Sequence, residues 1–364
     1  MSDININGPV NIIRLEGKIN NIKKTIYIFG DVHLAISSQK QNRCIQDDRI
    51  DIEVFLANVF KKNTDINYDL FIESPPTKIV GEQDNTTKNY ILNMRDFVSN
   101  HFNLDSSNNV IPSDTYPNVR FHYFDIRNIL GRILKVKDSL IHYTTASLDW
   151  TYDLRKNINI IIDYLSLLDE RIKETFIKNK DFITCKEILK VTQKKRYTNE
   201  YIYCILAKKF EDIVEKIKEI DIAQVKINIR KKFNKHIKST EINNYDFVFD
   251  VFKIIHTLSK NIEDLFSNTI DIYLLRRFLD KNYITNSIVY AGYSHFANII
   301  HILINDFDFK ITHVTDELEE KSKLTKNVTS KTSNEFVSYM LNEISINLYV
   351  IQCSNFKNFP NKMN

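Results

Sequence analysis

Four short apolar segments, each closed by residues that a plain turn does not require, constrain this chain more than any other feature. They are Thr25–Phe29 (TIYIF), Tyr68–Ile72 (YDLFI), Val119–Phe124 (VRFHYF) and Ser287–Ala291 (SIVYA). Runs of this length, rich in β-branched and aromatic residues, read as buried strands. Between the first two, Ile52, Phe55, Leu56, Val59 and Phe60 fall on the apolar stripe of an amphipathic helix, and a second helix is expected at about 88–102. Strands that alternate with helices imply βαβ crossovers, with helices covering both faces of the sheet. The expected fold is therefore α/β, with a mostly parallel central sheet and flanking helices.

The third and fourth segments are separated by a stretch that reads as helical throughout. Leu154, Ile158, Ile161, Leu165, Leu168 and Ile172 follow a 4-3-4-3-4 seam, which suits an antiparallel partner, and long helices at about 196–237 and 245–281 are candidates for it. The domain reading is an α/β core at 1–130 and 284–364 with a large all-helical insertion at 131–283. Only 6 Gly and 6 Pro among 364 residues support long helices over an all-β fold of many tight turns. After Phe309 the reading is two further strands (FKITHV and INLYVIQC) around a mobile polar loop at 317–335.

Fifty basic and 46 acidic residues leave a net charge of +4 with the signs interspersed, which argues against nucleic acid as a partner. The basic stretch at 226–238 (KINIRKKFNKHIK) has no aromatic platform beside it and reads as a solvated helix face. Cys44, Cys185, Cys204 and Cys353 show no metal-knuckle spacing, and they read as mostly buried thiols in a reducing compartment. No apolar run is long enough to span a membrane, and the N-terminus has no charged-then-apolar secretory pattern, so a cytoplasmic location is expected.

Chemistry gathers where the strands stop. The first runs into Gly30-Asp31-Val32-His33, the second into Glu73-Ser74-Pro75-Pro76, the third into Asp125-Ile126-Arg127 and the fourth into Gly292-Tyr293-Ser294-His295. Ligands of open α/β sheets bind beyond the carboxyl ends of the strands. Two Gly-x-x-His sequences, far apart along the chain, both follow apolar strands. Ser294 reads as an N-cap, which places His295 in the first turn of a helix, where the dipole favours neutral imidazole. Neutral imidazoles with carboxylates suit Zn, Mn, Fe or Co, whose bound water becomes a nucleophile near neutral pH. The expected ligands are His33, His295, Glu73, Asp31 and Asp125. Glu73 is the expected proton acceptor and Arg127 the anchor for an anionic group.

These residues resemble the pattern of the superfamily that joins erythromycin esterases, ChaN-type haem-binding lipoproteins and TraB/Tiki-type proteases: Gly30/His33 after the first strand, Glu73 after the second, Gly292/His295 leading into a helix. The resemblance covers about 20–130 and 265–315. It implies a metal-assisted hydrolase of ester or peptide bonds, acting on a small molecule or peptide, or a ligand-binding relative. The pairing of GDVH with a late VYAGxxH also looks like uncharacterised proteins of large DNA viruses. That agrees with an Asn/Ile/Lys-rich composition and points to a host cytoplasm or a virion.

Plainer readings stand beside these. Asp31 can serve only as an Asx cap of its turn, and Glu73 or Asp125 can serve only in a salt bridge with Arg127. Asp271 and Arg276, on the helix before the fourth strand, read better as a surface ion pair. The other histidines (His101, His122, His142, His236, His256, His301 and His313) share no spacing and read as ordinary core or surface residues. Asp31-Val32-His33 also fits the first block of a calcineurin-like metallophosphoesterase, although the GDxxD, GNH[DE] and GHxH blocks are missing. A non-catalytic binding or virion-associated protein that keeps the fold is the third reading. Nothing in the sequence sets an oligomeric state.

Overall fold

A computed structural model describes residues 4–36, 49–74, 88–107, 109–125, 131–146, 153–174, 199–238, 244–315, 321–346, 353–357, 359–360 and 362–363. The chain divides into two compact units. One comprises Met1–Asp125, Lys186–Ile205 and Asp271–Asn364, the other Ile126–Cys185 and Leu206–Ile270. In chain order the strands are β1 (Asn5–Asn7), β2 (Asn11–Ile19), β3 (Ile22–Asp31), β4 (Arg49–Asp51), β5 (Tyr68–Ile72), β6 (Val119–Tyr123), β7 (Asn286–Gly292), β8 (Lys310–Val314) and β9 (Cys353–Asn355). The helices are α1 (Ile52–Lys62), α2 (Tyr90–His101), α3 (Gly131–Ala146), α4 (Leu154–Ile172), α5 (Asn199–Glu219), α6 (Ile222–His236), α7 (Asn244–Asp280), α8 (Tyr293–Phe307), α9 (Lys321–Ser330) and α10 (Ser333–Ile346).

The first unit is built on a six-stranded sheet in the order β6-β5-β7-β3-β2-β8. The α/β class is as expected, but the sheet is mixed. β6, β5, β7 and β3 pair in parallel, whereas β2 runs antiparallel to both β3 and β8. β2 is the unforeseen element, and a hairpin makes it. Asn20 and Asn21 both take positive φ (51° and 65°) between the paired Ile19 and Ile22, the conformation of a type I′ turn that matches strand twist. A smaller sheet of order β4-β1-β9 completes the strands of this unit among the described residues.

Both faces of the parallel strands are covered. Tyr27, Phe29, Leu70 and Ile72 pack with Phe55, Leu56, Val59 and Phe60 of α1 and with Met94 and Phe97 of α2. Each such side chain removed from water contributes about 1.5–3 kcal/mol. Alternation along β3 turns Gly30 to the opposite face, where a Cβ would lie 2.9 Å from Tyr293 and 3.0 Å from Phe296 of α8. The glycine is needed there for close helix packing rather than for an unusual backbone angle.

The second unit is helical. The seam residues Ile158, Ile161, Leu165, Leu168 and Ile172 of α4 are buried, and α4 packs against α3 and α6. The helix expected at 196–237 is two helices, because Asp221 starts a new one by accepting from Gln224 N at 2.8 Å.

The tail differs from expectation. Residues 321–330 form a helix with Leu324 and Val328 buried, and a second helix starts at Ser333, both within the stretch 317–335 expected to be a polar loop; the second runs on to Ile346 and buries Phe336 and Met340. Thr332 and Glu335 form a reciprocal capping box: the Glu335 carboxylate accepts from Thr332 N, and Thr332 Oγ1 accepts from Glu335 N. FKITHV is β8. Of the expected strand INLYVIQC, Ile346 ends α10, Cys353 begins β9, and the residues between lie outside those described. Cys353 is disulfide-bonded, contrary to the expected thiol, whereas Cys204 is a buried thiol, as expected. Among the described residues no helix is long and apolar enough to cross a membrane.

One buried charge ties the end of α7 to the sheet. Lys24 of β3 has no exposed surface, and its Nζ donates to the carbonyls of Phe278, Lys281 and Ile284 at 2.9, 2.8 and 2.6 Å. An ammonium has three donors and a helix end has unpaired carbonyls, so the two needs meet. Lys24→Met keeps the length but leaves those carbonyls without their donor. The expected loss, read from urea unfolding, is about 2–4 kcal/mol; an unchanged midpoint would refute the capping role.

Candidate functional site

Strand order builds the site. β7 lies between β5 and β3, with Asp31 registered against Gly292 and Ile72 against Tyr290. The segments that follow β3 and β5 therefore emerge on either side of the turn from β7 into α8. In this crevice the structure brings together His33, Glu73 and His295.

Glu73 occupies the centre, with its side chain only 6% exposed. Its Oε2 accepts from Gly292 N at 2.8 Å, and its own carbonyl accepts from Arg95 Nε and Nη2 of α2 at 3.0 and 2.7 Å. Its Oε2 stands 3.7 Å from His33 Nε2 and its Oε1 3.8 Å from His295 Nε2. One carboxylate thus faces two imidazoles, each just beyond direct hydrogen-bond length. Burial works against its charge, but the two histidines and the Gly292 amide prevail and hold its pKa well below the ordinary carboxylate range. A Cβ on Gly292 would lie 2.7 Å from His33 Nε2 and 3.2 Å from Glu73 Oε2, so a side chain here would displace the His33 ring from its place beside Glu73.

His33 lies at the mouth, with 39% of its side chain exposed. Its φ of 56° is left-handed, a conformation that costs a non-glycine residue about 1–2 kcal/mol. Asp31 stabilises it. Its Oδ1 accepts from His33 N at 2.5 Å, its Oδ2 accepts from Tyr290 OH at 2.6 Å, and the carboxylate has no exposed surface. The Asx-cap reading of Asp31 is therefore realised, with Oδ1 also 3.6 Å from His33 Nδ1. Burial disfavours the His33 imidazolium, yet the nearby carboxylate of Glu73, joined by the charge of Asp31, raises its pKa above the ordinary 6.5.

His295 is buried. The helix begins at Tyr293 with Gly292 as its N-cap, not Ser294, and His295 still falls in the first turn. Its Nδ1 is 2.6 Å from Asp271 Oδ1, and Asn298 Nδ2 donates to Asp271 Oδ2 at 2.6 Å. Asp271 is thus fully buried beneath the centre and is not the surface ion-pair residue expected; Arg276 does pair at the surface, 3.6 Å from Asp280. Burial pushes the Asp271 carboxyl up, against the pull of His295 and Asn298. Asp125 is buried just beyond β6, next to Phe124, whose ring stands edge-on to His295. Arg127 and Cys44 lie outside the described residues.

Sequence reasoning did not single out Tyr290, Arg95 or Asn298. Asn298 carried a signal, since it sits one helical turn after His295 and shares its face. Arg95 and Tyr290 carried none, because only the fold places them here.

In type, the donors suit a divalent transition metal: two Nε2 atoms and a carboxylate, with Asp271 on the far nitrogen of one imidazole as an outer partner. In position they do not yet suffice. Among the described residues, no three His, Cys, Asp or Glu side chains converge closely enough to hold an ion.

The pattern that defines a family of unknown function (DUF5847) matches residues 4–245 and 155–364, which together span nearly the whole chain. Three proteins of Acanthamoeba polyphaga mimivirus are similar over most of their length. Uncharacterized protein R161 is 29% identical (98% of this chain and 97% of its own), R160 is 27% identical (89% and 90%) and R706 is 28% identical (98% and 96%). No solved structure matches. These findings support the resemblance to proteins of large DNA viruses and lend none to the esterase–ChaN–TraB/Tiki superfamily.

The electrostatics can be read in solution. In an NMR titration His33 should titrate above 6.5, and in Glu73→Gln its midpoint should move to lower pH, because the charge that holds its proton is gone. The imidazolium's stabilisation of the fold is present at acid pH and lost as pH rises through that midpoint. A His33 midpoint unmoved by the substitution would contradict the arrangement.

Proposed function

We propose that this chain, which belongs to the family of unknown function DUF5847, is a hydrolase of ester or peptide bonds whose centre is His33, Glu73 and His295. The observation that supports it is one ionised carboxylate held between two imidazole Nε2 atoms, one of them open to solvent. Structural packing has no need of a buried carboxylate with this surrounding, and perturbed titratable groups in a crevice mark reactive sites.

The division of roles follows from the pKa directions. A carboxylate held far below its usual range is a poor proton acceptor near pH 7, so Glu73 is better suited to stabilising positive charge. His33 is accessible and basic. It takes a proton from the water that adds to the substrate's carbonyl carbon, and Glu73 and Asp31 stabilise the imidazolium that results. When the C–O or C–N bond breaks, the same proton passes to the leaving oxygen or nitrogen. His295 holds the far side of Glu73 and is itself oriented by Asp271, the logic of an Asp-His pair. The Gly-x-x-His pair by which the chain resembles the esterase–ChaN–TraB/Tiki superfamily is consistent with this reading, and no step is routed through a metal ion.

Tests on the full-length chain use p-nitrophenyl esters and fluorogenic peptides. His33→Ala should lower kcat/KM by about 10²–10⁴-fold, the usual share of general acid–base catalysis. Wild-type kcat/KM should rise with pH through a pKa above 6.5, and Glu73→Gln should shift that limb to lower pH as well as reduce the rate. Hydrolysis that survives His33→Ala intact, or none with any substrate, would end the proposal. Elemental analysis runs in parallel. A stoichiometric transition metal, lost in both His33→Ala and His295→Ala, would replace the imidazole base with metal-activated water.

A further inference from the structure

A second cluster of charges lies in the same unit, along β6, the edge strand of the main sheet. Asp69 of β5 has no exposed surface and is fully engaged. Arg120 Nε and Nη2 donate to its two oxygens at 2.8 and 2.6 Å, and His122 Nε2 is 2.8 Å from Oδ1. On the other side of His122, Arg277 Nε donates to Nδ1 at 2.9 Å. That bond assigns the tautomer: Nδ1 accepts, so Nε2 carries the hydrogen toward Asp69. Burial lowers the His122 pKa despite the nearby carboxylate, which agrees with a neutral ring.

The charge count of the cluster is then uneven. One carboxylate faces two guanidinium groups, which leaves one positive charge in excess. Arg120 spends its fork on Asp69 and on the Tyr283 carbonyl, 2.8 Å away. Arg277 uses only its Nε, and its two terminal amino groups have no hydrogen-bond or ion-pair partner among the described residues. Both arginines line a cavity of about 500 Å³, within the size range of small-ligand sites. Phe102, Tyr123, Tyr273 and Tyr283 are among the residues that line it, and Arg120 lies over the Tyr283 ring at 4.7 Å. A cation with spare planar donors suits an oxyanion, and aromatic walls suit a flat apolar body.

We propose that this cavity is a second binding site, which takes a small molecule bearing a carboxylate or phosphate on an aromatic body, with Arg277 as its anion anchor. The site is separate in its residues from the histidine centre and does not rest on the hydrolase reading. The sequence offered a trace of it, since His122 and Arg120 alternate along a strand that a plain buried edge would fill with apolar residues.

Calorimetric titration of the full-length chain with phenyl phosphate and with benzoate tests the idea, with benzyl alcohol as the neutral control. Both anions should bind saturably, and the alcohol at least tenfold more weakly. Arg277→Met should weaken anion binding tenfold or more, which is about 1.4 kcal/mol or more. Tyr283→Ala, at an exposed position, should weaken both anions severalfold without unfolding the chain, and it serves should Arg277→Met fail to fold. His33→Ala should bind as wild type does. No saturable binding of either anion, binding indifferent to both cavity variants, equal binding of the alcohol, or loss of binding in His33→Ala would each overturn the proposal.

Discussion

A carboxylate almost entirely removed from water must be held by its neighbours, and the candidate centre is organised by that requirement at Glu73. Isolated burial of such a charge would cost many kcal/mol, and the usual escape is to take up a proton. Here the escape is closed. A backbone amide from Gly292 points at one oxygen, and imidazoles approach from both sides. The amide is available only because β7 lies between β5 and β3, and the His33 ring keeps its place only because position 292 has no Cβ. Sheet order and one glycine therefore come before any chemistry this crevice performs.

The next layer shows what holding that arrangement costs. His33 sits in a left-handed conformation that a histidine would not choose, and the Asp31 carboxylate fixes it by accepting the His33 amide. Asp31 in turn depends on a tyrosine hydroxyl. Full burial beside a carboxylate pushes the Tyr290 pKa well above 10, so the phenol stays a donor. Strain of this kind persists where surrounding bonds over-determine it, and it concentrates at functional positions. A chain of dependence runs from Tyr290 through Asp31 to the one imidazole that reaches solvent.

How much of this was legible in the sequence depends on how local the signal was. β5 appears with the boundaries its apolar run implies, and α4 buries the seam that its spacing marks, because period and hydrophobicity are local properties. His33, Glu73 and His295 were legible as types at strand ends. The hairpin was overlooked although two successive asparagines announce it, since β2 mixes charged and apolar residues as a strand with antiparallel neighbours does. The helices after 320 were hidden by their polarity, yet Leu324 and Val328 stand one turn apart and Thr332–Glu335 spells a capping box. Asp271 could not have been placed by any local rule. Its helix is long and of mixed pattern, and only the tertiary position of the last turns decides whether a carboxylate there meets water or an imidazole.

Those last turns of α7 act as a mechanical element. Within ten residues the helix presents Asp271 to His295, Arg277 to His122 of β6, and the Phe278 carbonyl to Lys24 of β3. Three separate pieces of the sheet-bearing unit are thus fastened to one rigid segment, two of them through charge-assisted bonds made out of water. A helix turn anchored at three points cannot shift to suit one partner without straining the others. The helix end that orients His295 through Asp271 is thus also held by a lysine and an arginine outside the crevice.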